Sequence, residues 1–175
     1  SREILVAEKW SAEKNLPGLG ITEDMADNAY TIVCPDTVTT LGLYLAGDTL
    51  CMVGMNTTAT SFVAPSSVFI NDKEYAVELF GKPKFDTFDW SGSQSVTSLD
   101  LSGVKDVNLL FGGSSVTDLY LSTYCSINSY GYLGDIYLHL PYGYFRSQYK
   151  NFGFKRILIG EEQPEYPESA FDNAW

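Results

Sequence analysis

Short apolar or alternating runs, the length of β-strands, dominate the pattern of hydrophobic and polar positions along the chain. The run at residues 30–34 ends at a Pro-Asp turn. Residues 40–45 and 49–53 flank Ala46-Gly47-Asp48, a pattern typical of a tight hairpin. The first 28 residues are weakly patterned, and within them we expect one short helix that opens at Thr22.

A second hairpin is predicted between residues 67–70 and 73–79. The two residues between these runs are Asn71 and Asp72, which tolerate the positive φ angles that two-residue turns need. The sequence therefore predicts strand-turn-strand units through the first half of the chain.

A repeated polar-apolar-x-apolar-x pattern runs through the second half. Its members lie at 76–80, 98–102, 118–122, 135–139 and 156–160, at spacings of 22, 20, 17 and 21 residues. Such periods fit one strand and one return loop per coil, as in a leucine-rich-repeat solenoid. The pattern predicts strands at 77–79, 99–101, 119–121, 136–138 and 157–159, paired in parallel in that order.

Three kinds of segment carry a family resemblance. Residues 96–101 (VTSLDL) and 116–121 (VTDLYL) are similar to leucine-rich repeats, and 64–77 reads as a Pro-Ser-Ser-Val strand that turns into Tyr-Ala-Val. Residues 140–157 begin with a Pro-Tyr-Gly turn and end in a final strand. Together they resemble the repeats, entry hairpin and C-terminal cap of the BspA-like leucine-rich-repeat family, over residues 57–160.

The pattern and the resemblance predict a mainly β fold, in which β-hairpins precede a short leucine-rich-repeat-like parallel β-solenoid with a short C-terminal cap helix. We expect an N-terminal β-rich cap or small β unit at 1–55, the solenoid at 56–160 and an acidic C-terminal tail at 161–175. The tail contains five acids, two prolines and no base. It follows four of the eleven bases, so we expect it to fold back on the cap; they are Arg146, Lys150, Lys155 and Arg156.

Charge excludes two classes of partner. The chain of 175 residues carries 22 acids against 11 bases, a net charge of −11, and this argues against nucleic acid and against an anionic membrane surface. No apolar run reaches the roughly 18 residues that cross a bilayer, so we expect no membrane span. Fifteen glycines, 12 tyrosines and 10 phenylalanines favour strands and turns.

The three cysteines, Cys34, Cys51 and Cys125, are widely separated. We expect buried free thiols, with one bridge plus one thiol as the alternative, because an odd number cannot pair completely. The chain opens on Ser1-Arg2-Glu3 without an apolar segment. By itself this fits either a cytosolic protein or a mature form whose export signal has been removed.

Catalytic motifs are weak. The single histidine, His139, has no serine elbow near it, and Gly112-Gly113-Ser114-Ser115 lacks the lysine of a phosphate loop. We therefore predict no enzyme, no cofactor and no metal. Because carboxylates are plentiful, a carbohydrate-active enzyme with a carboxylate pair remains one alternative.

Strand alternation points to a ligand face. The two apolar residues of each repeat must face inward, so the residues beside them face outward and stack about 4.8 Å apart in ladders. In this alignment Asp118 lies beside Asp135, and Tyr120 beside Tyr137. The like-charged pair is relieved either by Arg156 or by a bound cation or hydroxyl-rich ligand. The predicted ligand-binding residues are Asp100, Asp118, Tyr120, Asp135, Tyr137 and His139.

The resemblance implies an exported or cell-surface bacterial protein with no cofactor and no reaction. We expect a recognition or adhesion module that binds a host or envelope protein, or a glycan, through the exposed sheet face. A structural spacer in a larger surface protein is the second possibility.

Overall fold

The structure is a computed structural model, and it describes residues 4–83, 87–108, 110–122 and 132–160. Cys125, the acidic tail and part of the loop before Trp90 lie outside these residues. The strands, in chain order, are β1 (Glu8–Lys9), β2 (Ala29–Val33), β3 (Thr40–Ala46), β4 (Thr49–Asn56), β5 (Ser61–Val63), β6 (Ser67–Ile70), β7 (Lys73–Phe80), β8 (Ser98–Asp100), β9 (Asp106–Val107), β10 (Asp118–Tyr120), β11 (Tyr137–Leu140) and β12 (Arg156–Ile159). The fold is mainly β, as predicted.

Seven strands form a mixed sheet in the order β1-β2-β3-β4-β7-β6, with β9 also paired to β7. Both predicted hairpins are confirmed, since β3 pairs with β4 and β6 with β7, each antiparallel. Asn71 and Asp72 have φ angles of 49° and 67°. This left-handed backbone matches the twist of the flanking strands.

The N-terminal segment closes the mixed sheet into a barrel. Ahead of β1, the Ala7 amide donates to the Phe69 carbonyl at 2.9 Å, and the Phe69 amide donates to the Leu5 carbonyl at 2.8 Å. These bonds attach the segment to β6 at one edge, while β1 itself pairs with β2 at the other. A closed sheet leaves few strand edges exposed.

A second N-terminal segment lies flat against the β3–β4 hairpin. Gly42 and Gly54 face each other across the two strands, and the Met55 amide donates to the Gly18 carbonyl at 2.7 Å. A Cβ atom added at Gly42 would lie 1.9 Å from the Leu19 carbonyl oxygen. The glycine pair therefore makes room for the backbone that carries Leu19, whose side chain is buried.

The remaining five strands form a parallel sheet in the order β5-β8-β10-β11-β12. One inward row contains the facing residues Phe62, Leu99, Leu119, Leu138 and Ile157, all buried. Four of the five predicted parallel strands are confirmed, in the predicted order.

The predicted first strand exists, but its predicted pairing with the strand at 99–101 is wrong. Residues 77–79 belong to β7 in the mixed sheet, and β5 takes the predicted place beside β8. Both sides of β7 are already occupied, by β4 on one and by β6 followed by β9 on the other. Phe80 also packs in a cluster of rings with Phe88, Trp90 and Phe111.

The register of β11 differs from the prediction by two residues. Asp118 faces Tyr137, and Tyr120 faces His139. The predicted neighbours Asp118–Asp135 and Tyr120–Tyr137 are therefore wrong. Leu138 and Leu140 point inward in this register. The residues that face one another are then nearly evenly spaced along the sequence: Ser98, Asp118, Tyr137 and Arg156. The short 17-residue spacing of the predicted alignment is therefore absent.

The expected short helices are present as 3₁₀ helices at Glu23–Asn28, after Thr22, and at Ser147–Phe152. The second packs Tyr149 into the core and ends at Gly153, whose φ is 83°. One continuous hydrophobic core joins the barrel and the parallel sheet. In the described part of the chain, no helix is long and apolar enough to cross a membrane.

Candidate functional site on the outer face of the parallel sheet

The outer face of the parallel sheet carries three rows of side chains. The rows follow from the register and consist of Ser98, Asp118, Tyr137 and Arg156; Asp100, Tyr120, His139 and Leu158; and Ser102, Ser122 and Pro141. Alternation along each strand places them opposite the buried leucines. We call this set of residues the outer face.

Tyr120 and His139 stack at the centre of the outer face. Their ring centroids are 4.2 Å apart and their planes differ by 12°. The side chain of His139 is only 4% exposed, although its backbone position points outward. The imidazole is therefore part of a fixed surface.

Asp118 holds the same imidazole from its edge. His139 Nε2 lies 2.8 Å from Asp118 Oδ1. Because an ionised carboxylate only accepts hydrogen bonds, this contact places a proton on Nε2. Asp118 is 38% exposed, so it also faces solvent. The carboxylate thus orients the ring and remains accessible to a ligand.

Asp100 and two serines extend the polar surface. Asp100 Oδ1 accepts hydrogen bonds from the Ser102 amide at 2.8 Å and from the Ser102 hydroxyl. The Ser122 hydroxyl donates to the Ser102 carbonyl at 2.5 Å. These bonds fix the carboxylate and both hydroxyl groups with respect to the strands.

A pocket of about 250 Å³ lies over these groups. Its lining consists of Asp100, Ser102, Tyr120, Leu121, Ser122, His139, Leu140 and Pro141. It combines hydrogen-bonding groups with the edge of an aromatic stack, a mixture that suits a small polar ligand.

The structure brings five of the six predicted residues together on the outer face: Asp100, Asp118, Tyr120, Tyr137 and His139. Tyr137 lies in the same row as Asp118 and faces it directly, and the Lys155 ammonium sits 5.2 Å from the centre of its ring. Asp135 is exposed in the turn that precedes β11. Ser102 and Ser122 were missed as site residues, although the fifth position of the repeat placed both in one outward row.

The site offers binding groups, and its chemistry is that of hydrogen bonding and ring stacking. Among the described residues, no group of three or more His, Cys, Asp or Glu side chains could hold a metal ion. The thiols of Cys34 and Cys51 lie outside it, and burial raises the pKa of each to about 12. Neither thiol belongs to the outer face.

Comparisons with family models, with curated proteins and with solved structures find no match to this chain. The functional argument therefore depends on the geometry of the outer face.

Proposed function

We propose that the protein is a non-catalytic recognition module that binds a neutral, hydroxyl-rich glycan through the outer face. One observation carries the proposal: the stacked Tyr120–His139 pair, the Asp118 carboxylate and the pocket containing Asp100 meet on one solvent-facing surface.

The chemistry of these groups fits a sugar. Carboxylates accept hydrogen bonds from sugar hydroxyls, and the hydroxyls of Ser102 and Ser122 can both donate and accept. Ring surfaces pack against the apolar faces of pyranose rings, as aromatic side chains do at interfaces. The pocket holds about 250 Å³, which accommodates a terminal sugar residue rather than a long buried chain.

Charge selects the class of glycan. Two carboxylates, Asp100 and Asp118, flank the pocket, and the chain carries a net charge of −11. An anionic sugar or a nucleic acid placed here would be repelled. The proposal therefore specifies neutral glycans.

The family resemblance supports a cell-surface location. We propose that the parallel sheet is a short leucine-rich-repeat solenoid of the BspA-like kind, in an exported or cell-surface bacterial protein. A host or envelope protein is the second candidate partner, and the exposed Tyr132, Tyr142 and Tyr144 favour it, because aromatic side chains are enriched at protein interfaces.

A glycan array probed with the purified protein tests this function. We expect capture by a restricted set of neutral glycans and none by sialylated or sulfated ones. Asp118→Asn should lower capture several-fold, because it replaces a charged acceptor by a weaker one. Asp106→Asn is the matched control, since it removes an exposed carboxylate on β9 in the mixed sheet.

Three results would overturn the proposal. If no glycan on the array binds, and a surface protein is captured equally well by the wild type and by Asp118→Asn, another surface carries recognition. Turnover of any captured glycan into a shorter product would replace a binding module by a carbohydrate-active enzyme. A silent array without any captured protein would support the structural spacer.

A further inference from the structure

The C-terminal end of the parallel sheet is basic in a protein that is otherwise acidic. Residues 132–160 contain a single carboxylate, that of Asp135, and four of the eleven lysines and arginines. All four are exposed. We call them the basic patch: Arg146, Lys150, Lys155 and Arg156.

The basic patch follows the connection between the last two strands. Arg146 precedes the 3₁₀ helix Ser147–Phe152, and Lys150 lies in its last turn. Lys155 and Arg156 lead into β12. Since β11 and β12 are parallel, this connection runs back along the sheet from the end of one strand to the start of the next. The four bases therefore lie along this connection and at the start of β12.

The acidic tail follows Gly160, the last described residue, which comes directly after β12 of the parallel sheet. The Gly160 amide still donates to the Leu140 carbonyl at 2.8 Å, and the φ of Gly160 is 68°. A Cβ atom added there would lie 2.3 Å from the Tyr142 ring. Glycine is therefore required where the chain turns away from β12 beneath Tyr142.

The composition and length of the tail match the patch. Residues 161–175 contain no base, and their acids are Glu161, Glu162, Glu165, Glu168 and Asp172. Fifteen residues span up to about 50 Å when extended. The four residues of β12 span only about 13 Å. The tail is thus long enough to pass the whole patch.

We propose that residues 161–175 dock onto the basic patch of the same chain. Carboxylates of the tail pair with the four bases, and its aromatic side chains pack near Tyr142 and Tyr144, which are 45% and 38% exposed. Because the tail is tethered at Gly160, its effective concentration at the patch is of millimolar order. Exposed ion pairs are individually weak, so docking needs several of them at once and weakens with salt. This inference does not depend on the proposed function.

Digestion of the full chain by a glutamate-specific protease tests the docking. The measured quantity is the rate of cleavage after Glu165 and Glu168, followed by mass spectrometry. A free peptide of residues 161–175 serves as the reference at each salt concentration. We expect the tail of the intact protein to be cleaved about tenfold more slowly than the peptide at low salt, and equally fast at about 1 M salt, where the screening length is about 3 Å.

Charge reversal identifies the surface. Arg146→Glu with Lys150→Glu should abolish the low-salt protection, and adding Glu161→Lys with Glu162→Lys to that variant should restore it. Lys14→Glu with Lys73→Glu is the control, because it makes the same change in net charge at exposed sites outside the patch. Circular dichroism confirms that each variant is folded.

Three cleavage results would contradict the docking. They are a wild-type tail cleaved as fast as the free peptide at low salt, protection that the patch reversal leaves intact, and protection that the control reversal abolishes equally. Protection that rises with protein concentration together with dimer formation in sedimentation would assign the tail to a second copy and overturn docking within one chain. The comparison at two salt concentrations needs no variant, so failure of a variant to fold leaves the test decisive.

Discussion

On β11, Tyr137 and His139 are each followed by a buried leucine, yet the environments of the two side chains differ. Tyr137 lies beside Asp118 and has Lys155 near its ring, whereas His139 is stacked on Tyr120 and almost completely buried. Alternation predicts that both side chains point outward. It does not predict which one is covered, because that depends on the register between neighbouring strands.

Burial also decides the chemistry of the cysteines. Cys34 and Cys51 are buried, and desolvation raises the pKa of each to about 12. We expect both thiols to react with a maleimide only after denaturation, because the thiolate is the reactive form. Intact-mass measurement in a Cys125→Ser background isolates these two residues. Rapid labelling of the folded protein at pH 8 would show that one of them is accessible.

The same pKa increase makes a prediction about pH. A thiol whose pKa is higher in the folded state stabilises the fold below its unfolded value of 9.0, and this contribution is lost as the pH rises through about 12. The free energy of unfolding should therefore fall across this range. Cys51→Ala should show a smaller fall than the wild type, measured by denaturant titration.

A buried hydroxyl fixes the turn between β2 and β3. Thr39 Oγ1 donates to Asp36 Oδ2 at 2.6 Å and lies 2.7 Å from Thr57 Oγ1. The hydroxyl lowers the pKa of Asp36. We expect Thr39→Val to cost about 1–3 kcal/mol at pH 7, because buried polar partners lose their hydrogen bonds. Thr40→Val, at the next residue and the first of β3, is the control and should cost less.

The pH dependence of this cost has a definite sign. Because the pKa of Asp36 is lowered in the folded state, its contribution to stability is present above the ordinary value of 3.8 and is lost as the pH falls through the lower folded value. The difference between Thr39→Val and wild type should shrink in acid. A difference that is constant between pH 7 and pH 2 would mean that the carboxylate is not involved.

At the scale of elements, turn residues predicted the hairpins better than repeats predicted the parallel sheet. Asn71-Asp72 and Gly47 identify turns by their own backbone preferences, which are local. The five-residue repeat fits β7 as well as β8, since both alternate apolar and polar residues. Pairing with β4, β6 and β9 places β7 in the barrel, and these partners are distant in the sequence.

The N-terminal segment was predicted least well. Its hydrophobic pattern is weak because backbone hydrogen bonds and contact with two glycines attach it to the barrel. Neither kind of contact requires apolar residues at regular intervals. Glycines at facing positions of two predicted strands, Gly42 and Gly54, are the signal that was available, since glycine inside a strand marks the close approach of another backbone.

Substitution at this crossing should be severe. We expect Gly42→Ala to destabilise the protein by more than about 2 kcal/mol, because the added methyl group collides with the Leu19 carbonyl. Gly112→Ala is the control, since a Cβ atom there has no neighbour within 4 Å. Thermal unfolding compares the two variants, and equal midpoints would contradict the close contact.

At the scale of the whole molecule, a closed barrel and an open parallel sheet share one hydrophobic core. The barrel has few exposed strand edges, whereas the outer side of the parallel sheet carries partly exposed polar and aromatic side chains. Five of the six residues predicted to bind a ligand lie on that face because alternation and parallel stacking were predicted correctly. The register of β11 leaves the sixth, Asp135, in the turn before the strand.

The central claim is that inward positions of the parallel sheet stabilise the fold and outward positions bind. Adjacent residues on β10 test it in one paired measurement of unfolding and of binding to a glycan captured on the array. Leu119→Ala should cost about 2–5 kcal/mol of stability, because it leaves a cavity in the core. Tyr120→Ala should cost about 1 kcal/mol of stability. It should weaken glycan binding about 5- to 150-fold, equivalent to about 1–3 kcal/mol. If Tyr120→Ala lowers the stability of the protein as much as Leu119→Ala does, the outer face is not the recognition surface. The same holds if Tyr120→Ala binds the glycan with unchanged affinity.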